Sequence, residues 1–356
     1  MLVVAGAQAW WRRWDCRLAR RAPRWARVLG RTRRWACALT DGSAGCSGST
    51  LVFARYLRDR GIRVIWAYRD DPAIVPAWAT PVRAGSARHR WLAARSRWWI
   101  TDGLPLRVAG PDTVGGPLQR GRDTRVLVLL EPTVEKVGSD IVDWPLLTPR
   151  QQRRAQVRSE TSVDVVAAPS KRVARALGLE SDVVPVSPLP ERVPERAAAR
   201  ERLGLPADAH VAAVVSVRDQ AGRITASLNG VADLVVADAA GDPADLVAAC
   251  DVLVTDTSPW AAVAARLGRP VIVFAPDLRD LLSRGPGLYV RWQHELPGPW
   301  AHDEVSMHAA MGSLREQAWQ VPGEFADGHA ALAALAGSRE EGACDQLVAA
   351  LEGDGR

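Results

Sequence analysis

The pattern of apolar and polar positions along the chain predicts short buried strands that alternate with helices. Residues 252–254 read VLV and residues 271–274 read VIVF, and short apolar runs of this kind indicate buried parallel strands. Between them, residues 260–267 are predicted to form a helix that ends at Gly268, a residue type common just after a helix. The three elements form one βαβ unit, the repeating unit of parallel α/β sheets.

The loop of this unit follows the carboxyl end of its first strand and contains Asp256, Thr257, Ser258 and Pro259. In open α/β sheets ligands bind at that edge, and the free N–H groups of a helix start suit a phosphate. These four residues are therefore predicted to bind the phosphate of a nucleotide. The same residue types also support a second interpretation, in which Thr257 and Ser258 only cap the helix.

An earlier part of the chain repeats the alternation. Residues 34–39 and 63–68 are predicted strands, and residues 50–60 form a predicted helix between them, preceded by a glycine-rich loop. The glycines of that loop are Gly42, Gly45 and Gly48. Their spacing differs from the dinucleotide-binding fingerprint. The two alternating stretches predict two doubly wound, Rossmann-like α/β domains that face each other across a cleft.

Four segments follow from this pattern. The first α/β domain is predicted over residues 36–190 and the second over residues 191–335. A basic N-terminal segment, residues 1–35, precedes them, and a C-terminal helix and tail, residues 336–356, follow. In a two-lobed fold, a terminal helix of this kind commonly crosses back to the first lobe.

The N-terminal segment combines tryptophans with arginines. Residues 10–35 contain ten arginines and one acidic residue, Asp15. On a helical wheel the apolar residues fall within one arc of about 100° and most arginines lie opposite. The tryptophans of that arc are Trp10, Trp11, Trp14 and Trp25. This pattern favours a helix lying in the interface of an anionic membrane, although the tryptophans could instead pack on the protein's own body.

Composition narrows the class of protein. The chain has 356 residues, a net charge of +6 and no apolar run long enough for a membrane-spanning helix. The first residues do not have the order of a signal peptide. The five cysteines have no metal-ligand spacing, and no nucleic-acid-binding module follows the basic segment. These features predict a reduced, cytoplasmic protein without a metal or cofactor, and without a nucleic-acid partner.

Short blocks that follow the predicted nucleotide loop carry a family resemblance. They are DVLVTDTS at 251–258, Arg269-Pro270, Asp277-Leu278, Arg284-Gly285 and Pro297-Gly298-Pro299. In this order they resemble the C-terminal half of the CDP-glycerol glycerophosphotransferases, enzymes of teichoic-acid-type polymer synthesis. The resemblance covers residues 36–299 and implies the GT-B architecture. It also adds Arg284 and Gly285 to the predicted nucleotide site.

The chain departs from this family where the catalytic base is expected. The predicted strand 125–130 resembles the strand that leads to the family's histidine motif, but Leu130 stands in place of the histidine. A second histidine motif is absent as well. The remaining candidate bases are Glu131, Asp140, His294 and His302. Asp256 is interpreted as a cap or a ribose ligand, and the glycine-rich loop as part of the acceptor side.

The resemblance implies a transferase with a CDP-linked donor such as CDP-glycerol. An acceptor hydroxyl would attack the β-phosphorus, CMP would leave, and a polyol phosphate would join a lipid-linked cell-envelope polymer. The protein would act in the cytoplasm as a peripheral protein on the inner face of the membrane. Two alternatives remain open, a non-catalytic scaffold and an NDP-sugar glycosyltransferase. The missing histidines favour the scaffold, whereas the retained nucleotide-side blocks favour an active enzyme.

Overall fold

The computed structural model contains two parallel sheets, one in each half of the chain. It describes residues 32–39, 48–69, 71–101, 124–134, 163–169, 171–176, 183–187, 193–216, 220–229, 231, 233–237, 243–278, 288–289, 296–337 and 342–353. No helix in this described part is long and apolar enough to span a membrane. The tryptophans predicted to contact a membrane lie outside the described residues.

The first lobe is built on seven strands in the order β3-β2-β1-β4-β5-β6-β7. The strands are β1 Thr32–Leu39, β2 Arg63–Tyr68, β3 Thr80–Arg83, β4 Ser96–Thr101, β5 Arg125–Leu129, β6 Val165–Ala167 and β7 Val183–Val184. Its helices are α1 Gly48–Asp59, α2 Ala87–Arg95 and α3 Lys171–Ala176. Every neighbouring pair of strands is parallel, so the connections pass over the faces of the sheet.

The second lobe is built on five parallel strands in the order β12-β11-β10-β8-β9. The strands are β8 His210–Val215, β9 Leu234–Ala237, β10 Val252–Thr255, β11 Val271–Phe274 and β12 Trp300–Ala301. The helices are α4 Arg196–Leu203, α5 Ala221–Leu228, α6 Pro243–Ala249, α7 Trp260–Arg266, α8 Glu304–Glu316 and α9 Ala326–Ala334.

Helices cover both faces of the second sheet, which explains the continuous apolar runs of its strands. In β10, Leu253 packs into one core cluster while Val252 and Val254 pack into the cluster on the other face. Successive side chains of a strand point to opposite faces, so a strand buried on both faces needs apolar residues at every position. All four residues of β10 and all four of β11 are buried.

The last helix, α10 Ala343–Glu352, returns to the first lobe. Its buried Cys344, Leu347 and Leu351 join the core cluster that contains Trp66 and Trp98. Arg125 Nη1 donates to the carbonyl of Leu351 over 3.3 Å. The C-terminal end of the chain therefore packs with the N-terminal lobe and links the two halves.

Several boundaries differ from those predicted. Strand β1 begins at Thr32, so the last four residues of the predicted N-terminal segment, residues 32–35, belong to the first sheet. Strand β3 lies in a stretch that was not predicted as a strand, and β12 is only two residues long. Helix α5 was not predicted either. The α/β class and the order of the main elements are confirmed.

Candidate functional site

A chain of hydrogen bonds joins two neighbouring strands at the carboxyl edge of the second sheet. Strands β8 and β10 are adjacent, and the residues that follow them are Ser216 and Asp256. Ser216 Oγ donates to Asp256 Oδ2 over 2.7 Å, and the N–H of Gln220 donates to Ser216 Oγ over 3.1 Å. Gln220 is the residue just before α5. The carboxylate of Asp256 therefore ties the start of α5 to the end of β10.

The same carboxylate also orders the start of α7. The N–H of Ser258 donates to Asp256 Oδ1 over 3.1 Å, and the N–H of Trp260 donates to Ser258 Oγ over 3.3 Å. The side chains of Asp256, Thr257 and Ser258 are almost fully buried. A buried carboxylate between two helix starts is favourable, because the N-terminal end of a helix carries a partial positive charge.

This arrangement changes one expectation for the loop. The N–H groups of the α7 start were predicted to be free for a phosphate, but those of Ser258, Trp260, Ala261 and Ala262 all have acceptors within the protein. Pro259 has no N–H to offer. Ser258 Oγ thus accepts from the first residue of α7, as the capping interpretation expects, whereas Asp256 holds the N–H of Ser258 just before the helix begins. Binding of a nucleotide by Asp256, Thr257, Ser258 and Pro259 stays a prediction.

His302 lies on the same edge of the second sheet. It directly follows β12, is largely exposed, and its ring stacks edge-on against Trp300 with 6.1 Å between centroids. Trp300 is itself held by a 3.1 Å hydrogen bond from its Nε1 to the carbonyl of Ala275. Since β12 is two strands from β10, His302 stands roughly 10 Å along this edge from Asp256.

The Pro-Gly-Pro block, which directly precedes β12, packs against β11. A Cβ atom on Gly298 would lie 1.9 Å from the carbonyl oxygen of Val271, so the block can approach β11 only because it has no side chain there. The next residue, Pro299, accepts a 3.0 Å hydrogen bond from the N–H of Val273. The block therefore places β12 against β11 and carries His302 to the edge of the sheet.

In the first lobe, Glu131 caps a helix. Its Oε1 accepts a hydrogen bond from the N–H of Ser49 over 2.6 Å, at the first turn of α1. Gly48 has a φ of +70° and leaves room for this carboxylate, since a Cβ there would meet Glu131 Oε1 at 2.1 Å. The hydrogen bond to α1 argues against the predicted catalytic role of Glu131. Gly48 is needed here for its positive φ, and its place on the acceptor side stays a prediction.

Leu130, which stands where the resemblance places a histidine, is part of the first lobe's core. It is 8% exposed and clusters with Val128, Val166 and Val173. An apolar side chain at this position accepts no proton, so the base expected from the family has no substitute at its own position. The other catalytic candidates include Asp140 and His294, which lie outside the described residues.

The two lobes contact each other beside this strand end. Val134, just beyond β5, packs into the core cluster of the second lobe, and Tyr289 of the second lobe packs against the first-lobe cluster that holds Leu130. The N–H of Tyr289 donates to the carbonyl of Val134 over 2.9 Å. The segments after β5 and before β12 therefore meet between the lobes. Arg284, Gly285, Gly42 and Gly45 lie outside the described residues.

Within the described part of the chain, no three metal-ligating side chains come together. Burial raises the pKa of the Cys37 and Cys250 thiols to about 12, so both stay protonated at neutral pH and serve as small core residues. Cys344 is buried as well and forms no disulfide within the described residues.

Sequence comparison finds a family that is similar to most of the second lobe. Residues 220–325 match the family described as CDP-glycerol:poly(glycerophosphate) glycerophosphotransferase, and this range includes α5, the loop at Asp256 and the Pro-Gly-Pro block. The match covers less than half of the chain, and it shows that this part of the second lobe is similar to that family. No curated protein sequence matches it. The resemblance drawn from the short blocks is therefore confirmed, as is the transferase class that it implies.

Solved structures extend the fold assignment to the whole chain. The wall teichoic acid polymerase TagF, as a histidine-to-alanine variant, aligns with a TM-score of 0.67 and 17% identity over 90% of this chain and 89% of that one. A histidine-to-asparagine variant of TagF soaked with CDPG aligns with a TM-score of 0.70 and 15% identity over 97% and 94%. At these identities the likeness concerns the fold, and the predicted GT-B architecture is confirmed.

Proposed function

We propose that this chain transfers glycerol phosphate from CDP-glycerol or a related CDP-linked donor to a membrane-linked cell-envelope polymer, with release of CMP. The observation that carries the proposal is the family match over residues 220–325. The matched range contains β9, β10, β11 and β12, and with them most of the carboxyl edge of the second sheet, where open α/β sheets bind ligands. TagF, which shares the fold over almost its full length, is named as a wall teichoic acid polymerase.

On the donor side, Asp256 acts as a positioning residue. It fixes the starts of α5 and α7 through Ser216 and Ser258, and thereby holds the loops that follow β8 and β10 in position relative to each other. With the first-turn N–H groups of α7 already paired, the donor diphosphate needs a cationic partner. Arg284, supplied by the segment before Tyr289, is the proposed partner.

The transfer step needs a base for the acceptor hydroxyl. The hydroxyl oxygen bonds to the β-phosphorus, the bond from that phosphorus to the oxygen of CMP breaks, and the base receives the hydroxyl proton. Of the described candidates, Glu131 is hydrogen-bonded to α1, whereas His302 is largely exposed at the carboxyl edge of the second sheet. We therefore favour His302, with Asp140 as the other candidate.

Thermal unfolding with CMP, CDP, CDP-glycerol, UDP and UDP-sugars tests the donor. A ligand that binds only the folded state raises the melting temperature, and CDP-linked compounds are expected to do so more than UDP-linked ones. A shift with UDP-sugars alone would instead support the glycosyltransferase alternative.

A single substitution tests the location. Pro259 is partly exposed just before α7, where an acidic residue suits the helix, so Pro259→Glu is expected to keep the fold. The added negative charge should weaken CDP binding at least tenfold. Arg315→Gln is the matched control, because it changes the net charge by the same one unit at the exposed C-terminal end of α8. Unchanged CDP affinity in Pro259→Glu would place the site elsewhere.

One observation favours the scaffold alternative. Leu130 and Glu131 leave the position of the family histidine without a free base, so the chain could bind a nucleotide and not use it. The two functions differ in turnover. An enzyme releases CMP when the polymer acceptor is added, whereas a scaffold protein binds CDP-glycerol and releases none.

We further propose that the N-terminal segment holds the protein on the cytoplasmic face of the membrane. Tryptophan area buried in the acyl boundary and about 1 kcal/mol for each arginine near an anionic surface would give peripheral binding that salt weakens. Co-sedimentation with anionic vesicles should be lost when residues 1–31 are removed, a cut that spares β1. Equal binding by the shortened protein would show that the segment is not the anchor.

A further inference from the structure

A cavity of about 170 Å³ lies at the end of α7 opposite to the Asp256 loop. It is formed where the chain enters the second lobe and where α7 leads into β11. Residues that line it include Val193, Glu195, Arg196, Val263, Arg266 and Arg269. Because α7 starts at the carboxyl edge of the sheet, its last turn and this cavity lie near the amino edge.

The cavity has more cationic than anionic groups. Three arginines and one glutamate line it. Beneath it, Asp251 is shared by two guanidinium groups: it contacts Arg196, and its Oδ2 lies 2.9 Å from Arg200 Nη2. Arg200 also donates from Nε to the carbonyl of Ala249 over 3.1 Å, and its side chain is only 7% exposed. One carboxylate thus compensates two cations, whereas Arg266 donates to the backbone carbonyl of Gly337.

Arg269 lines this cavity and has one N–H group, at Nε, without a hydrogen-bond acceptor among the described residues. This Nε is buried. Burial lowers the pKa of the Arg269 guanidinium, and the positive charge of Arg196 lowers it further. Arginine nevertheless keeps its proton in proteins, so the unfavourable charge remains until an anion approaches. His329 fixes the backbone here, since its Nε2 lies 2.8 Å from the Arg269 carbonyl oxygen.

We infer that this cavity binds a phosphate-sized oxyanion, either inorganic phosphate or the phosphate group of a monoester. A volume of about 170 Å³ accommodates such a group. Guanidinium forks match the geometry of phosphate oxygens and form charge-assisted hydrogen bonds with them. The bound anion would supply the acceptor that Arg269 Nε lacks and would neutralise the excess charge next to Arg196. This site does not depend on the proposed transfer reaction, because it lies at the opposite end of α7.

The test uses the full chain and measures its melting temperature with increasing phosphate, at ionic strength held constant with sodium chloride. Wild-type protein should be stabilised by phosphate well beyond the effect of chloride. Arg269→Gln should weaken the apparent phosphate affinity at least tenfold, while its melting temperature without phosphate stays equal or rises because a repulsion is removed. Arg269→Lys keeps the charge but loses the fork, and it should bind phosphate with intermediate affinity.

Two control variants locate the effect. Arg315→Gln removes an exposed arginine from the same lobe and should keep the phosphate response. Pro259→Glu alters the predicted nucleotide-binding loop and should keep the phosphate response as well. Glycerol 3-phosphate in place of inorganic phosphate distinguishes the two ligands. If the cavity admits a monoester, both compounds raise the melting temperature; if it admits only the free ion, inorganic phosphate alone does. A response that survives in Arg269→Gln, disappears in Pro259→Glu, or is matched by chloride would overturn the inference.

Discussion

Glu131 and Gly48 form a pair whose energetic coupling can be calculated from the structure. Alanine at position 48 would have a φ of +70°, which costs about 1–2 kcal/mol for a residue with a Cβ. That Cβ would also lie 2.1 Å from Glu131 Oε1 and displace the carboxylate from the N–H of Ser49. Loss of a cap costs about 1 kcal/mol. Gly48→Ala should therefore destabilise the protein by about 2–3 kcal/mol.

A double-mutant cycle separates the two terms. Glu131→Ala should cost about 1 kcal/mol in the wild-type background and almost nothing in the Gly48→Ala background, where the cap is already lost. Urea unfolding can be followed by tryptophan fluorescence, because Trp66 and Trp98 of this lobe are fully buried and Trp260 and Trp319 are buried in the second lobe. Gly61→Ala is the matched control, because Gly61 has a φ of +76° but nothing within 4 Å of its would-be Cβ.

In that control, the effects of Gly61→Ala and Glu131→Ala should add. If Glu131→Ala costs the same in the Gly48→Ala and wild-type backgrounds, the carboxylate does not cap α1. Glu131 would then again be a candidate for the base.

Two further predictions concern stability. Gly298→Ala should lower the free energy of unfolding by about 1–3 kcal/mol in chemical denaturation, because its Cβ would meet the Val271 carbonyl oxygen at 1.9 Å. The control Gly312→Ala, in the exposed middle of α8, should raise it by about 0.5–1 kcal/mol. Equal effects of the two substitutions would refute the packing role of Gly298. Burial, followed by the charge of Arg90, lowers the pKa of His89 from 6.5 to about 4, so the unfolded chain binds the proton first and stability falls as pH drops from 6.5 to 4. Denaturation at several pH values should show that His89→Asn loses less unfolding free energy between pH 6.5 and 4 than the wild type does, by on the order of 3 kcal/mol. An equal loss in the variant and the wild type would contradict this prediction.

The main elements were predictable because their signals are local. Strands β10 and β11 are continuous apolar runs, and α7 lies between a proline and Gly268, so their order is readable from neighbouring residues. Strand β12 was not predictable, because two residues carry no periodicity and their pairing depends on the contact between Gly298 and Val271. Pairing of this kind is decided by residues far apart in the chain.

The candidate site shows the same division. The position of the Asp256 loop at a strand end follows from the local pattern, but the partners of its polar atoms do not. Asp256 binds Ser216, which is 40 residues away, and Glu131 binds Ser49 across 82 residues. Carboxylates that look available in sequence are thus engaged in the folded protein, which shifts attention to His302 at the end of β12.

The most direct measurement is CMP release by the full-length protein. The protein is incubated with CDP-glycerol, with and without a lipid-linked acceptor that ends in glycerol phosphate, and CMP is quantified by chromatography. The proposed function predicts CMP formation that requires both the acceptor and the protein and is strongly reduced in Pro259→Glu. Saturable binding of CDP-glycerol with no CMP above the protein-free control would contradict it and leave a nucleotide-binding scaffold.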